Sequence, residues 1–233
     1  MNTRMLGLCA LALFALPAAT FAASPLVNNC QTITQPGSYA VTRNLSSTGD
    51  CIVIASGFVT LDLMGFTISG NGTAASVGIH EAAGTQFPGL RGVVIRNGNV
   101  TNFGVGIEFS VSDGVTVENV NASSNAGNGL ILLNRAVVRA SRFDDNGNNG
   151  VTVGDGAMIT GSTATRNGNV GFGAATGALI VNNVAINNKL TGISQDCPGA
   201  AIANTVSENG PAFTGPNLVQ INGSCLSDQN STL

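Results

Sequence analysis

The residues of this 233-residue chain best equipped for chemistry are two adjacent carboxylates, Asp144 and Asp145, with Arg142 just before them and Arg166 downstream. Paired carboxylates supply the acid, base or nucleophile for breaking a glycosidic bond, and an oxygen-rich cluster also suits calcium. In this pattern Asp144, Asp145 and Arg166 are the candidate catalytic groups and Arg142 a binding group. Neighbouring residues on a strand point to opposite faces, so both carboxylates can face outward together only where the chain turns a corner. The spacing has a second meaning. Asp145 and Arg166 are 21 residues apart, as are Glu118 and Arg139. If 21 residues make one structural repeat, each couple stacks as a cross-strand ion pair worth about 0.2–1 kcal/mol. A second candidate set surrounds the only histidine, His80, with Glu81 beside it and Arg91 and Arg96 downstream. Histidine is a common general base near neutral pH. A carboxylate beside basic residues can hold an acidic sugar, which makes Glu81, Arg91 and Arg96 candidate binding residues. No Cys-x-x-Cys occurs and His80 is not adjacent to a cysteine, so no metal centre is expected.

The elements that must position these groups are set by a repeat. Asn125, Asn146, Asn167, Asn188 and Asn209 follow one another at intervals of 21. Gly129, Gly150, Gly171 and Gly192 keep the same interval, and so do Ala122, Phe143, Ala164, Ala185 and Val206. A fixed period in the twenties is the mark of a solenoid. Coils run from Gly114 to Asn134, Arg135 to Asp155, Gly156 to Thr176 and Gly177 to Cys197, each opening on a short apolar or β-branched segment such as Val115-Thr116-Val117 or Ala157-Met158-Ile159. Alternating apolar runs bounded by Gly and Asn are strand signals, and no 3.6-residue period persists long enough for a substantial helix. At about 3.3 Å per residue, 21 residues trace a perimeter near 70 Å, suited to a three-sided coil whose successive turns pair as parallel strands. The expected fold is all-β, a single-stranded parallel β-helix of about 21 residues per coil. Asparagine suits such a stack because it tolerates left-handed backbone at a corner and its amide can bond the amides above and below. The period fails between Gly72 and Arg91, and an insertion loop is expected near residues 72–91, bordered by His80 and Glu81. Insertions in solenoids map to loops over one face, often the binding face.

Composition narrows the setting. Only 9% of residues are charged and 5% aromatic, with a formal net charge of −3 and pI about 4.9. No basic run occurs, so nucleic acid is not an expected partner. Residues 1–23 read as a signal peptide: Arg4, an apolar run from Met5 to Ala15, Pro17, then Thr20-Phe21-Ala22 with small residues at the cleavage site. The apolar run is shorter than the roughly 20 residues a membrane span needs, so no stable span is expected after cleavage, and the destination is periplasmic or secreted. Four cysteines remain, Cys30, Cys51, Cys197 and Cys225. They admit three connectivities; Cys30–Cys51 and Cys197–Cys225 are expected, one pair at each end of the solenoid where edges need protection. The mature chain divides into a cap with the first strands at 24–50, the solenoid at 51–225 and a tail at 226–233. Few rings are left for a sugar to stack on: Phe143 and Phe172 fall in core columns, leaving Phe66, Phe87, Phe103 and Phe213.

The stretch Gly57-Phe58-Val59-Thr60-Leu61-Asp62-Leu63-Met64-Gly65-Phe66-Thr67-Ile68-Ser69-Gly70, followed by Asn/Gly-rich coils, resembles exported bacterial right-handed parallel β-helix proteins of the pectin-lyase-like superfamily, over about residues 38–223. The resemblance implies a right-handed coil and polysaccharide or a cell-surface glycan as partner. It does not carry over an activity, because one fold hosts many reactions. The paired aspartates with Gly-His-Gly and Arg-x-Lys of polygalacturonases are incomplete here, since His80 lies in Ile79-His80-Glu81 and Lys189 in Asn188-Lys189-Leu190. The Arg-x-Pro-x-x-Arg of pectate lyases and the Asp-Pro-His-Asp of mannuronan epimerases are absent. The expected function is therefore a non-enzymatic exported module, structural or glycan-interacting, without cofactor. The alternative is a lyase, hydrolase or epimerase acting on acidic polysaccharide, with calcium if a lyase. Asp62, between Leu61 and Leu63, is expected to point outward.

Overall fold

The structure, a computed structural model, describes residues 24–210, 219–222 and 225–231. The expected signal peptide, Phe213 and the last two residues of the expected tail lie outside the described residues. Every strand among them pairs in parallel, and they form two sheets. One has nine strands, from Gln31–Ile33 through Leu130–Leu132 and Val151–Val153 to Val219–Asn222. The other, of 16 strands, covers the two remaining sides of the coil, because the long strands Val94–Thr101 and Thr116–Ser123 run around a corner and join both sides. Register follows the 21-residue grid: Val138 pairs with Ile159, Phe143 with Ala164 and Val151 with Phe172. Each inward column is fully covered, as Val117, Phe143 and Phe172 illustrate at 0% exposure. The solenoid already begins at Leu26–Val27, paired with Gly37–Val41.

Three corners per coil make the triangle, and each turns on one residue with positive φ. The first corner has Met64, Asn97, Asn119, Ala140, Gly161, Asn182, Ala203 and Gln229, with φ between 49 and 60°. The second has Asn102, Ser124, Asp145, Arg166, Asn187 and Glu208, and the third Phe58, Gly92, Gly114, Arg135, Gly156 and Gly177. The left-handed residue at the second corner is thus the one before the asparagine ladder, which corrects the expectation that the ladder asparagines themselves adopt it. Their amides turn inward instead. Asn167 is wholly buried; its Nδ2 donates to Asn188 Oδ1 at 2.9 Å and to the Phe143 carbonyl at 2.8 Å. Its Oδ1 accepts from the Asn146 backbone N–H at 3.1 Å and from Asn146 Nδ2 at 3.0 Å. Each rung therefore satisfies backbone groups that the bend removes from the sheet.

A second ladder stands inside the first corner and was not anticipated. Ser141 N–H donates to Ser162 Oγ, Ser162 N–H to Asn183 Oδ1, Asn183 N–H to Asn204 Oδ1 and Asn204 N–H to Asn230 Oδ1, at 2.9–3.2 Å. The glycine column is explained by the first ladder. A Cβ on Gly150 would lie 2.7 Å from the Gly171 carbonyl oxygen and 2.8 Å from Asn167 Nδ2, so any side chain there collides with backbone.

The insertion expected near 72–91 divides in two. Val77–Glu81 is a regular strand of the nine-stranded sheet, with Ile79 between Ile52 and Ile107. Gly78 hides the alternation, yet it is required: a Cβ there would meet Val100 Cγ1 at 2.4 Å. The true excursion is the stretch from Ala82 to Leu90. Both disulfides are present, Cys30–Cys51 and Cys197–Cys225.

Asn167→Leu leaves the Asn146 N–H groups without their acceptor and removes the side-chain donor to the Phe143 carbonyl, at about 1–3 kcal/mol for each buried group orphaned. The urea midpoint of the variant is expected to fall accordingly. An unchanged midpoint would show that the ladder does not hold the corner.

Candidate functional site

A shallow groove of about 380 Å³ lies at the first corner. Its walls are Asn97, Asn99, Asn119, Asn121 and Arg142, over a floor of Gly65, Gly98 and Ala140 that adds almost no side chain. The walls arise because Asn97 and Asn119 take the left-handed corner in successive coils, while Asn99 and Asn121, two residues on, pair across the strands and face outward. Asn119 Nδ2 donates to Asn97 Oδ1 at 3.0 Å, and Asn97 Nδ2 donates to both oxygens of Asp62 at 3.1 Å. Asn99 Nδ2 makes only long contacts of 3.4 Å; Asn121 Oδ1 is buried without a partner, while Asn121 Nδ2 and the Oδ1 atoms of Asn99 and Asn119 make no hydrogen bond among the described residues. The groove therefore presents spare amide donors and acceptors. The sequence carries a signal for it, Asn-Gly-Asn and Asn-Val-Asn in successive coils, masked by a spacing of 22 instead of 21.

The carboxylates beside the groove are committed. On the outer face of the first side, Asp62, Arg96, Glu118 and Arg139 stand in register as a column of alternating charge. Arg96 Nε donates to Asp62 Oδ2 at 2.9 Å, and Arg139 donates to Glu118. Burial alone would raise the Asp62 carboxyl, but the Met64 N–H, the Asn97 amide and Arg96 outweigh it and hold it below its ordinary 3.8. Asp62 does point outward, bound to this column.

The two aspartates do not form a shared centre. Asp144 lies on the strand Arg142–Asp144, where its Oδ2 accepts from Arg142 at 2.7 Å and its Oδ1 from Thr165 Oγ1 at 2.6 Å. Asp145 sits on the second corner and grips Arg166 with both oxygens, each at 2.7 Å. The hydrogen bond from Arg166 holds the Asp145 carboxyl below its ordinary value, and the same bond raises Arg166. Both ion pairs expected from the grid, Asp145–Arg166 and Glu118–Arg139, are present.

The histidine set is dispersed. His80 and Glu81 lie on the nine-stranded sheet, Arg91 approaches the third corner, and Arg96 belongs to the charged column on another side. Residues 10 to 16 apart in a coil of this size fall on different sides, so proximity in sequence does not gather them. His80 Nδ1 is 2.7 Å from the Glu81 carbonyl oxygen. Its Nε2 is 3.2 Å from Asp50 Oδ2, near enough for an ion pair, yet buried and too poorly aligned for a hydrogen bond. Glu81 turns inward and accepts from the Val111 N–H at 2.7 Å and from Ser112 Oγ, strapping the next coil's turn. A cleft of about 280 Å³ remains between His80, Glu108 and Ala82–Thr85. Among the described residues no three His, Cys, Asp or Glu side chains are grouped to hold a metal ion. The oxygens of Asp144 and Asp145, the carboxylates a calcium ion was expected to use, accept from Arg142, Thr165 and Arg166. Of the rings left for a surface, Phe103 is fully buried, Phe66 packs partly on the core, and Phe87 is exposed.

A coil of parallel strands with a polar groove along one corner defines a β-solenoid. The sequence matches the family described as the right handed beta helix region, over residues 44–189 and 91–232, and the chain belongs to that family. Among solved structures it is similar to the Dettilon tailspike protein (TM-score 0.58, 13% identity), covering 89% of this chain and 53% of that one. It is also similar to the enzymatically active domain of bacteriophage CBA120 tailspike protein 2 (TM-score 0.61, 12% identity), covering 89% of this chain and 37% of that one. The chain thus spans about half or less of these two proteins, and at such identities the likeness is one of fold. No curated protein matches the sequence.

Asp145→Asn tests whether this carboxylate is more than a surface partner. The exposed pair is worth less than about 1 kcal/mol near neutral pH, so the melting temperature should scarcely move. A carboxyl with a lowered folded value stabilises above its unfolded value and loses that contribution as pH falls through the folded one. Below 3.8 the wild type should therefore lose stability more steeply than the variant. Parallel acid-denaturation curves would contradict the pairing.

Proposed function

We propose that this protein is an exported, non-enzymatic β-helix that binds polysaccharide along the amide-lined groove of its first corner. The observation that carries this reading is the contrast within the groove. Its accessible amide atoms, Asn121 Nδ2 and the Oδ1 atoms of Asn99 and Asn119, have no partner among the described residues, whereas the neighbouring carboxylates Asp62 and Asp144 are held by arginines. A sugar chain offers alternating hydroxyl donors and acceptors, which primary amides can meet from either end. Export is supported by the signal-like residues 1–23 and by two disulfides, which persist in oxidising compartments. The alternative, an enzyme on acidic polysaccharide, draws support from the likeness to a domain named as enzymatically active. It would need Asp144 or Asp145 to act while bound to arginine, or His80 to act from the cleft it borders.

Affinity electrophoresis in gels containing polysaccharide tests the proposal. The mature protein should be retarded, and Asn99→Ala or Asn121→Ala should each weaken retention about fivefold, the effect of one net hydrogen bond. Neither chain shortening nor unsaturated products should appear with polyuronides, with or without calcium. Turnover that Asp144→Asn or Asp145→Asn abolishes would overturn the non-enzymatic reading.

A further inference from the structure

At the third corner the left-handed position is glycine in four coils, Gly92, Gly114, Gly156 and Gly177, but Phe58 and Arg135 occupy it in two others. A bulky side chain at positive φ is a genuine outlier. Such strain persists only where the surroundings enforce it, and it gathers at binding sites. Both side chains project outward: Phe58 is 72% exposed and the Arg135 side chain 63%. The Phe58 ring rests on the next coil, where a Cβ on Gly92 would lie 2.8 Å from its Cδ1. That glycine leaves the ring lying over the corner. Three coil spacings separate Phe58 from Arg135, about 14 Å at 4.8 Å each. Between them lies a cleft of about 230 Å³ lined by Arg91, Gly92, Asp113, Gly114 and Arg135.

The charges of the cleft are two arginines and one aspartate. Asp113 is almost wholly buried and bonds one terminal nitrogen of Arg135. This fixes the guanidinium while leaving its other N–H donors free. Arg91 is exposed and makes no ion pair among the described residues. Beside the exposed Phe58 ring the cleft thus offers one fixed and one free cationic fork, both suited to carboxylate or sulfate, and a net positive charge on a chain that is acidic as a whole.

We infer that the Phe58–Arg91–Arg135 corner is a second subsite, which takes a sugar unit bearing an anionic group: the ring stacks on Phe58 and the carboxylate or sulfate lies between the two arginines. It rests on the glycan-binding reading above and adds a preference for charged chains. The Ala82–Leu90 excursion ends at this cleft, and the Asp113 N–H donates to the Pro88 carbonyl at 3.2 Å. The aperiodic segment therefore braces the subsite from one side.

The variants Phe58→Gly and Arg135→Gly install the residue the same corner uses in neighbouring coils; Phe58→Gly should fold with an unchanged or raised melting temperature, whereas Arg135→Gly, which also leaves the buried Asp113 unpaired, should fold with a lowered one. In gels containing polygalacturonate, dextran sulfate or neutral dextran, the wild type should be retarded more by at least one charged polymer than by dextran. Each glycine variant should lose that excess, roughly tenfold for Arg135→Gly through one charge-assisted hydrogen bond. Arg43→Gln, which removes an equal charge elsewhere, should keep it. Excess retention with polygalacturonate alone assigns a carboxylate, and with dextran sulfate alone a sulfate; either supports the subsite. Retention unchanged in both glycine variants overturns it, as does an equal loss in Arg43→Gln. If Asn121→Ala abolishes retention while the glycine variants do not, this inference falls and the groove reading stands. If no polymer retains the wild type, both fall.

Discussion

The structure depends on how a strand can turn a sharp corner without leaving its backbone groups unpaired. Bending at one left-handed residue takes N–H and C=O groups out of the sheet, and a buried orphan of either kind is costly. The solution is a primary amide or a hydroxyl placed just inside the bend. Asn125 through Asn209 do this at the second corner, and Ser141 through Asn230 at the first. The rest is organised around these columns. The glycines facing them have no room for a side chain, the small residues beside them let the coils close, and surface groups inherit a common register.

That register explains why charge on this molecule is largely consumed by architecture. Residues one coil apart are neighbours whether or not they serve a ligand, so opposite charges on the grid neutralise each other. The Asp62–Arg96–Glu118–Arg139 column and the Asp145–Arg166 pair follow this rule. Function is left to groups that depart from it: amides beyond the reach of their neighbours, and large side chains where the repeat calls for glycine. Most of these departures lie between Phe58 and Asn121, where the spacing from coil to coil is 22 or more and the coils are not copies of one another.

The fold was legible because it rests on period alone, and the period could be read from Asn, Gly and apolar columns. The ion pairs Asp145–Arg166 and Glu118–Arg139 were legible for the same reason. Where residue type changes along a column, the reading failed. The second ladder passes from serine to asparagine and takes a last step of 26 residues from Asn204 to Asn230, so no single letter repeats. Phe58 gave no warning, since nothing about phenylalanine suggests left-handed backbone. Val77–Glu81 looked irregular because Gly78 stands where an apolar residue would mark a strand. His80, Arg91 and Arg96 looked like a cluster because nearness along the chain was taken for nearness in space, and a coil perimeter separates them.

The placement of the disulfides bears on how the molecule fails. In a stack whose units touch only their neighbours, loss of structure ordinarily starts at a free end and runs inward like an opening zipper. Here each end coil is stitched covalently, Cys30 to Cys51 at the first and Cys197 to Cys225 near the last. Fraying is thereby denied its usual starting points, and opening is driven towards the interior, where the Ala82–Leu90 excursion is the longest stretch unsupported by strand pairing between those two fastenings. Among the described residues, the segment that braces the anionic subsite is thus also the longest one without strand pairing to shield it from a protease.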